Sequence, residues 1–175
     1  MGNLLLINGC GGAGKDTTGQ LLLTKLKTAA LIDIKGVTRV EPWQYGGAIG
    51  RLGVQNAASL ISNFNSAKYN TIILTGGVEN QEKFDLLHSL VPKDLNLYYF
   101  WLDVPKSIRD ERRIVRQRDE GDNPQHLDQI DSVFTDPGTL CMSTGKYFRI
   151  TATSLTRRQV AEYILSAIEL GSNQY

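Results

Sequence analysis

The segment GCGGAGKDTT, residues 9–18, holds the residue types best suited to chemistry in this chain. It stands between an apolar run, LLLI, and a leucine-rich stretch with helical spacing. Glycines let successive backbone N–H groups surround an anion, and a helix that begins near Lys15 adds its positive end. Strand, glycine loop, lysine and helix in this order predict a phosphate-binding loop, in which Lys15 reaches the β- and γ-phosphates of a nucleotide.

The predicted loop departs at one position from the pattern Gly-x-x-x-x-Gly-Lys-Ser/Thr. Asp16 stands where the hydroxyl that normally holds Mg²⁺ is expected, with Thr17 directly behind it. A carboxylate binds Mg²⁺ directly or through water, so we predict Asp16 and Thr17 as the magnesium ligands and keep both geometries open. The predicted nucleotide contacts are Gly9, Gly11, Gly12, Ala13, Gly14, Lys15, Asp16, Thr17 and Thr18.

Five arginines lie close together in the segment RDERRIVRQR, which follows a predicted strand. Phosphoryl transfer needs charge neutralised on more than one side, and a guanidinium bridges two phosphate oxygens or stacks on a base. On a helix Arg112 and Arg116 share a face, as do Arg109 and Arg113. Arg112 and Arg116 stand beside a stretch with glycine and proline, which predicts a lid whose arginines close over the phosphates. Arg109 and Arg118 are expected on a solvated face, paired with neighbouring acids.

The bulk composition is that of an ordinary globular protein with one hydrophobic core. The chain has 175 residues, 41% hydrophobic and 21% charged, with a net charge of +1. A nearly neutral chain has no general field for nucleic acid, and no apolar run reaches the length that spans a bilayer. Two cysteines, Cys10 and Cys141, make no disulfide framework, and the widely spaced His88 and His126 make no zinc motif. We therefore expect a reduced, cytoplasmic protein, a monomer or homodimer, with a small-molecule partner.

Strand patterns alternate with helix patterns along the whole chain. Strands are predicted at residues 3–8, 29–34, 69–75, 97–102 and 147–152, and helices at 15–27, 48–64, 80–90, 105–120 and from Thr156 onward. The alternation predicts an α/β protein, a three-layer α/β/α sandwich with a five-stranded parallel sheet. Right-handed crossovers then place the phosphate loop at the carboxyl end of the first strand. We expect one domain over residues 1–175, with an acceptor-binding segment at about 35–66 and a lid at about 109–145.

Together these motifs resemble the small P-loop kinases of the nucleoside monophosphate kinase-like group. The likeness is specific at the phosphate loop and at the arginine segment that follows Pro105. In that group, arginines four apart on the lid helix contact the adenine and the transferring phosphate, and they match Arg112 and Arg116. The motif Gly-Lys-Asp-Thr is similar to the corresponding motif of phage deoxynucleoside monophosphate kinases and of one class of phosphomevalonate kinases. The resemblance implies ATP and Mg²⁺ as cofactors, and it implies that Asp16 is compatible with catalysis.

The acceptor side has several candidate residues. In small-metabolite kinases of the resembled group, an aspartate at the end of the second strand binds or deprotonates the acceptor hydroxyl, which points to Asp33. Glu41, in a Glu-Pro pair, is an alternative that is similar to the substrate-facing glutamate of thymidylate kinases. Arg51 is a candidate for an acceptor phosphate, and Trp43 and Tyr45 are candidates for stacking on a ring. The acid that the group often carries after the third strand is replaced by Thr-Gly-Gly, with a glutamate beyond.

These residues favour an ATP-dependent phosphotransferase that moves the γ-phosphate to a nucleotide, a nucleoside or a similar small metabolite. Its predicted catalytic residues are Lys15, Asp33, Arg112 and Arg116. The alternatives are a nucleotide-binding regulator and a degenerate kinase that binds nucleotide without phosphotransfer. The chain has no Asn-Lys-x-Asp motif and no Asp-x-x-Gly after the third strand, which disfavours a guanine-nucleotide switch.

Overall fold

Five parallel strands and the helices on their two faces make up the described chain. The structure is a computed structural model that describes residues 2–41, 47–116, 131–132, 140, 142 and 144–172, with backbone alone at 114–116 and 170–172. The strands are β1 Gly2–Asn8, β2 Ala29–Asp33, β3 Thr71–Thr75, β4 Leu95–Asp103 and β5 Lys146–Thr151. The helices are α1 Lys15–Lys25, α2 Ile34–Val37, α3 Gly47–Ser66, α4 Gln81–Leu90, α5 Lys106–Arg116 and α6 Arg157–Ser172.

The first strand lies in the middle of the sheet. The strand order is β2-β3-β1-β4-β5, and every pair of neighbours is parallel. In this register Ile7 lies opposite Thr75 on one side and Phe100 on the other. The carboxyl ends of β1, β3 and β4 therefore meet at one edge, where ligands of open α/β sheets bind. The predicted five-stranded parallel sheet is confirmed.

Both faces of the sheet are covered, because alternate residues of each strand point to opposite sides. On one face Leu5, Phe100 and Ile164 belong to a core that α1 and α6 close. On the other face Leu6 and Ile61 belong to a second core, which α3 and α4 close. These two apolar layers confirm the predicted sandwich of helices, sheet and helices. Among the described residues, no helix is long and apolar enough to cross a bilayer.

The predicted start of the last helix is confirmed in atomic detail. The backbone N–H of Gln159 donates to Thr156 Oγ1 over 3.3 Å, and the backbone N–H of Thr156 donates to Gln159 Oε1 over 2.9 Å. This reciprocal exchange satisfies two N–H groups that a helix end leaves without intrahelical partners.

One short element was missed by the helical spacing. No helix is predicted between residues 34 and 48, yet α2 makes a single helical turn directly after β2. Asp33 caps it, since its Oδ1 accepts the backbone N–H of Lys35 over 3.0 Å. Four residues with a glycine among them are too few for hydrophobic periodicity to register. Further on, the predicted helix beyond Arg116 lies outside the described residues.

Helix α1 approaches the sheet closely at Gly19. A Cβ added there would lie 2.6 Å from Thr75 Cγ2 and 3.0 Å from Leu31 Cδ1. We expect Gly19→Ala to destabilise the protein by about 1–3 kcal/mol, because the buried, β-branched side chain of Thr75 must shift to admit the methyl group. Thermal unfolding measures this as a melting temperature lower by roughly 2–10 °C.

Gly36 provides the matched control, since a Cβ there meets nothing within 4 Å. Gly36→Ala is expected to leave stability unchanged or to raise it slightly, because alanine restricts the unfolded chain. Equal melting temperatures for Gly19→Ala and the wild type would contradict the close packing of α1 on the sheet.

Candidate active site

Three glycines shape the loop between β1 and α1. Gly9, Gly12 and Gly14 have φ angles of 142°, 83° and 100°, a region that side-chain-bearing residues rarely adopt. Gly14 is the N-cap of α1, so Lys15 is the first helical residue. The loop therefore turns its backbone at the positive end of a helix, which is the arrangement that binds phosphate. Gly9, Gly11, Gly12, Ala13 and Gly14 all lie on this turn.

Lys15 extends back over the loop that precedes it. Its Nζ donates to the carbonyl oxygens of Gly9 over 2.7 Å and Cys10 over 3.1 Å. Burial of the ammonium group lowers the pKa of Lys15 to about 8, an effect that the charge of Asp16 partly offsets. A cation held out of water beside backbone dipoles interacts strongly with any anion that enters.

Asp16 lies at the boundary between the phosphate loop and the segment after β2. Its Oδ2 lies 3.2 Å from Lys35 Nζ, and the two side chains are 42% and 72% exposed, respectively. Thr17 is half-buried and Thr18 is buried against the core, with 2% of its surface exposed. Among the described residues no group of three acidic, histidine or cysteine side chains could hold a metal ion by itself.

The donor set at this point nevertheless suits magnesium. Mg²⁺ usually keeps several waters and takes one or two protein oxygens together with substrate phosphates. One carboxylate, Asp16, and one hydroxyl, Thr17, stand next to the loop that would hold those phosphates. The residues present therefore fit Mg²⁺ that arrives with a nucleotide.

The arginine helix α5 packs directly on the phosphate loop. A Cβ added at Gly11 would lie 2.1 Å from Arg113 Nη2, and one at Gly12 would lie 2.8 Å from the carbonyl oxygen of Arg109. Arg109 Nη1 also donates to the carbonyl oxygen of Gly11 over 3.1 Å. At Gly12 the neighbouring atoms belong to the backbone of α5, so only glycine permits this approach, whereas at Gly11 the neighbour is the end of the flexible Arg113 side chain.

The expectation that Arg109 is solvated is wrong. Its side chain is only 7% exposed, and its Nη1 lies 2.7 Å from Asp131 Oδ2. Arg113 shares this partner, because its Nη2 lies 3.4 Å from Asp131 Oδ1. The residue pairs with an acid, as expected, but the acid is distant in sequence and the pair is buried under the loop. Arg118 lies outside the described residues.

Arg113 and Asp131 are the functional candidates that the sequence did not single out. The only available signal was that Arg109 and Arg113 share one helical face. Nothing in the sequence said that this face, rather than the one with Arg112, turns toward the glycines. Asp131 was hidden in a polar stretch without periodicity, where a long-range contact cannot be read.

A cavity of about 760 Å³ opens on the other side of the loop. The described residues that line it come from the loop, from α1, from the end of β4, from α5, from the turn between β5 and α6 and from the start of α6. They are Ala13, Gly14, Thr18, Leu102, Glu111, Arg112, Ala152, Leu155, Thr156, Arg157, Arg158 and Val160. Its volume is typical of sites for small molecules and cofactors. The predicted residue Arg112 lines this cavity, whereas the side chain of Arg116 lies outside the described part.

The described acceptor candidates differ in burial and in their partners. Asp33 is half-buried at the end of β2, where its Oδ1 caps α2. Glu41 is exposed, and Trp43 and Tyr45 lie outside the described residues. Arg51 is exposed on α3, and its Nη1 lies 2.5 Å from Glu82 Oε1. Asp33 is therefore the candidate that the strand order brings to the edge with Lys15.

The turn after β3 also reaches the phosphate loop. Gly76 and Gly77 have φ angles of 78° and 86°. A Cβ added at Gly76 would lie 3.6 Å from Lys15 Cε. Two residues beyond, Glu79 has a charge that acts on Lys15 and raises its pKa, against the larger effect of burial. The position that often carries an acid is thus filled by glycine backbone, and the next carboxylate stands further along.

Comparison with known proteins bears on the fold. No family model matches the sequence, and no curated protein matches it significantly. Solved structures do match over nearly their full lengths. The chain has the P-loop kinase fold. A sugar kinase from Janibacter sp. HTCC2649 superposes with a TM-score of 0.75 at 13% identity, covering 97% of this chain and 95% of that one.

Two further kinases show the same fold. Mycobacterium tuberculosis APS kinase, determined in complex with AMPPNP and APS, has a TM-score of 0.68 at 13% identity, covering 96% of this chain and 98% of that one. Thymidylate kinase from Candida albicans has a TM-score of 0.64 at 20% identity, covering 99% of this chain and 94% of that one.

The lowered pKa of Lys15 generates a prediction about proton uptake. Above about pH 8 the free lysine loses its proton, and the phosphates of a bound nucleotide favour the charged form again. ATP binding at about pH 8.5 should therefore take up on the order of half a proton or more. Calorimetry in two buffers of different ionisation enthalpy measures this uptake.

Lys15→Arg is the control, because its guanidinium stays charged and should abolish the buffer dependence. The free wild-type protein should also gain stability as the pH rises above about 8, since the unfolded chain then holds a proton that the folded lysine has lost. Binding enthalpies that agree between buffers would show that Lys15 is already charged in the free protein.

Proposed function

We propose that this protein is an ATP-dependent phosphotransferase that moves the γ-phosphate to a nucleotide, a nucleoside or a similar small metabolite. The observation that carries the proposal is the cavity beside the phosphate loop. It is continuous with Ala13 and Gly14, it is lined by Arg112, and its volume of about 760 Å³ is large enough for a nucleoside. A loop for phosphates next to a cavity for a nucleoside is the layout of a nucleotide donor site.

The donor side follows from the contacts around the loop. We propose that the adenosine of ATP occupies the cavity, with Arg112 stacking on the base. The triphosphate then runs toward Gly11 and Lys15, where backbone N–H groups, the start of α1 and the ammonium group meet it. Lys15 exchanges its bonds to the carbonyl oxygens of Gly9 and Cys10 for bonds to phosphate oxygens.

Arginines supply the second set of charges. Arg113 lies over Gly11 and is therefore already at the phosphate end of the site. Its bonds to Asp110 and Asp131 measure 3.2 Å and 3.4 Å, long enough that a phosphate would compete for the guanidinium. We assign Arg113 to the phosphates together with the sequence-based candidate Arg116.

Magnesium, when bound, would neutralise charge on the β- and γ-phosphates and orient them. Asp16 and Thr17 are the residues of this chain that would hold it. In the free protein Lys35 neutralises Asp16, and this exposed pair is weak enough to separate.

The acceptor hydroxyl is assigned to Asp33. The register places Asp33 beside Thr75 at the edge where Lys15 stands. Its cap to α2 fixes the carboxylate through Oδ1. We propose that Asp33 accepts the hydrogen bond of the attacking hydroxyl and takes its proton as the phosphoryl group is transferred. The domain assignment, one kinase domain with acceptor segment and lid, forms part of the same proposal.

Binding without phosphotransfer, as in a regulator or a degenerate kinase, is the competing function. Asp16 and the missing acid after β3 favour it. The fold neighbours, named as sugar, APS and thymidylate kinases, favour catalysis instead. A screen with Mg-ATP and nucleoside monophosphates, nucleosides and small alcohols separates the two functions by acceptor-dependent ADP formation.

Lys15→Ala is expected to abolish that ADP formation, because the cation that meets the phosphates is removed. Lys25→Ala, on the far end of the same helix, is the matched control and should keep the wild-type rate. ADP formation that needs no acceptor would contradict the phosphotransferase. Full activity of Lys15→Ala would contradict the phosphate-loop assignment.

Asp33→Asn separates the acceptor from the donor. We expect kcat to fall by about two orders of magnitude or more, because the amide cannot take the proton, while the Kd for ATP stays unchanged. Steady-state kinetics and calorimetry give the two quantities. Should the affinity for ATP collapse along with the rate, Asp33 would belong to the donor side.

A further inference from the structure

The acceptor class can be inferred from the charges that face the acceptor side of the phosphate loop. These charges lie on the turn between β3 and α4, on α2 and α3, and on α4. The turn itself is held rigidly. The carbonyl oxygen of Val78 accepts two side-chain bonds of 2.8 Å, one from Asn8 Nδ2 at the end of β1 and one from the Tyr99 hydroxyl on β4. These two hydrogen bonds fix the position of the turn next to the phosphate loop.

The residue that follows β2 packs against this turn. A Cβ added at Gly77 would lie 2.6 Å from Ile34 Cγ1, and one at Gly76 would lie 3.0 Å from Ile34 Cγ2. Ile34 directly follows Asp33, and Glu79 stands two residues after Gly77. Ile34 therefore joins the segment after β2 to the turn after β3, and the charge of Glu79 on that turn acts on Lys15.

Glu79 forms a largely buried ion pair. Its Oε2 lies 2.6 Å from Lys83 Nζ, and the side chains are only 15% and 14% exposed. Lys83 Nζ lies across α3, 2.8 Å from where a Cβ on Gly50 would stand. Burying two charges costs solvation that their attraction only partly returns, so such a pair is a poor device for stability. The pair lies where the start of α4 packs against α3.

Three described cations of this side have carboxylate partners, and a fourth, Arg39, is exposed and has none among the described residues. Lys35 pairs with Asp16, Lys83 pairs with Glu79, and Arg51 pairs with Glu82. A phosphomonoester acceptor would bring two negative charges toward the carboxylates of Asp33 and Glu79, where repulsion opposes it. Hydroxyl groups, in contrast, donate to carboxylates.

We propose that the acceptor is an uncharged, hydroxyl-bearing molecule such as a sugar, a polyol or a nucleoside, and that Glu79 selects it by accepting its hydroxyl groups. The inference rests on the proposed phosphotransferase and narrows it, since nucleoside monophosphates and other phosphomonoesters are excluded as acceptors. Lys83 is a positioning residue, which holds the Glu79 carboxylate in place. Asp33 takes the proton of the attacking hydroxyl, and Glu79 binds a neighbouring one.

A panel of matched pairs tests the acceptor class. Each phosphomonoester is offered with Mg-ATP next to its own dephosphorylated form, for example thymidine monophosphate with thymidine and ribose 5-phosphate with ribose. We expect kcat/KM for the uncharged member of at least one pair to exceed that of its phosphate by about tenfold or more. Preference for the phosphates, or no turnover in any pair although ATP binds, would overturn the inference.

Glu79→Gln tests the residue. It should lower kcat/KM for the acceptor by about tenfold or more, while the Kd for ATP stays within about twofold. Glu82→Gln, an exposed carboxylate on the same helix, is the control and should behave as wild type. If Glu79→Gln does not fold, Glu79→Asp replaces it, because aspartate keeps the negative charge. Glu79→Asp should raise the KM for the acceptor. Equal behaviour of the Glu79 and Glu82 variants would refute the role of Glu79.

Arg39 gives an independent check. It is exposed after α2 and forms no ion pair with the described residues, so it is the cation that a phosphate acceptor would recruit. Arg39→Ala is expected to leave the acceptor kcat/KM unchanged, and a loss of about tenfold or more would contradict an uncharged acceptor. Calorimetry with ATP alone separates the two levels. If ATP does not bind, both the proposed phosphotransferase and the inference about its acceptor are contradicted. If ATP binds and phosphomonoesters are turned over, only the inference of an uncharged acceptor is contradicted.

Discussion

The arrangement of the site depends on one lysine that is kept out of water. Burial of the Lys15 ammonium group lowers its pKa to about 8, and this destabilises the charged form that phosphate binding requires. The groups around it each reduce that cost. Two backbone carbonyl oxygens accept its hydrogen bonds, and the carboxylates of Asp16 and Glu79 add negative charge nearby. The oxygen atoms of a bound triphosphate would replace the carbonyl groups as hydrogen-bond acceptors for Lys15, so the ammonium group already stands where an anion would bind.

Much of the fold could be predicted from the sequence, because it follows from local patterns. Apolar runs and helical spacing located the strands and the longer helices, and alternation alone indicated a parallel sheet. The glycine loop was recognisable because its chemistry lies within one short segment. The start of the last helix at Thr156 was recognisable for the same reason. Sequence patterns did not predict the single helical turn α2, because it is too short for hydrophobic periodicity to detect.

The site was less accessible because its contacts join distant segments. The contact of Arg109 with Gly11 joins α5 to the loop after β1, 98 residues away in sequence. Its acid, Asp131, comes from a polar stretch with no pattern. The pairing of Glu79 with Lys83 has ordinary helical spacing, but its importance arises from burial against α3. Sequence shows which charges exist, whereas packing decides which of them face the loop.

The central position of β1 has a consequence for the order in which the protein folds. Although β1 is synthesised first, its two neighbours are β3 and β4, whose residues begin at 71 and 95. Contacts this distant in sequence form late and slow folding, since a long loop must close before they are made. On the ribosome, β1 and the glycine loop that follows it therefore lack the two neighbouring strands until residues 71–103 have emerged. Nucleotide binding by a nascent chain would report that the sheet has closed around its first strand.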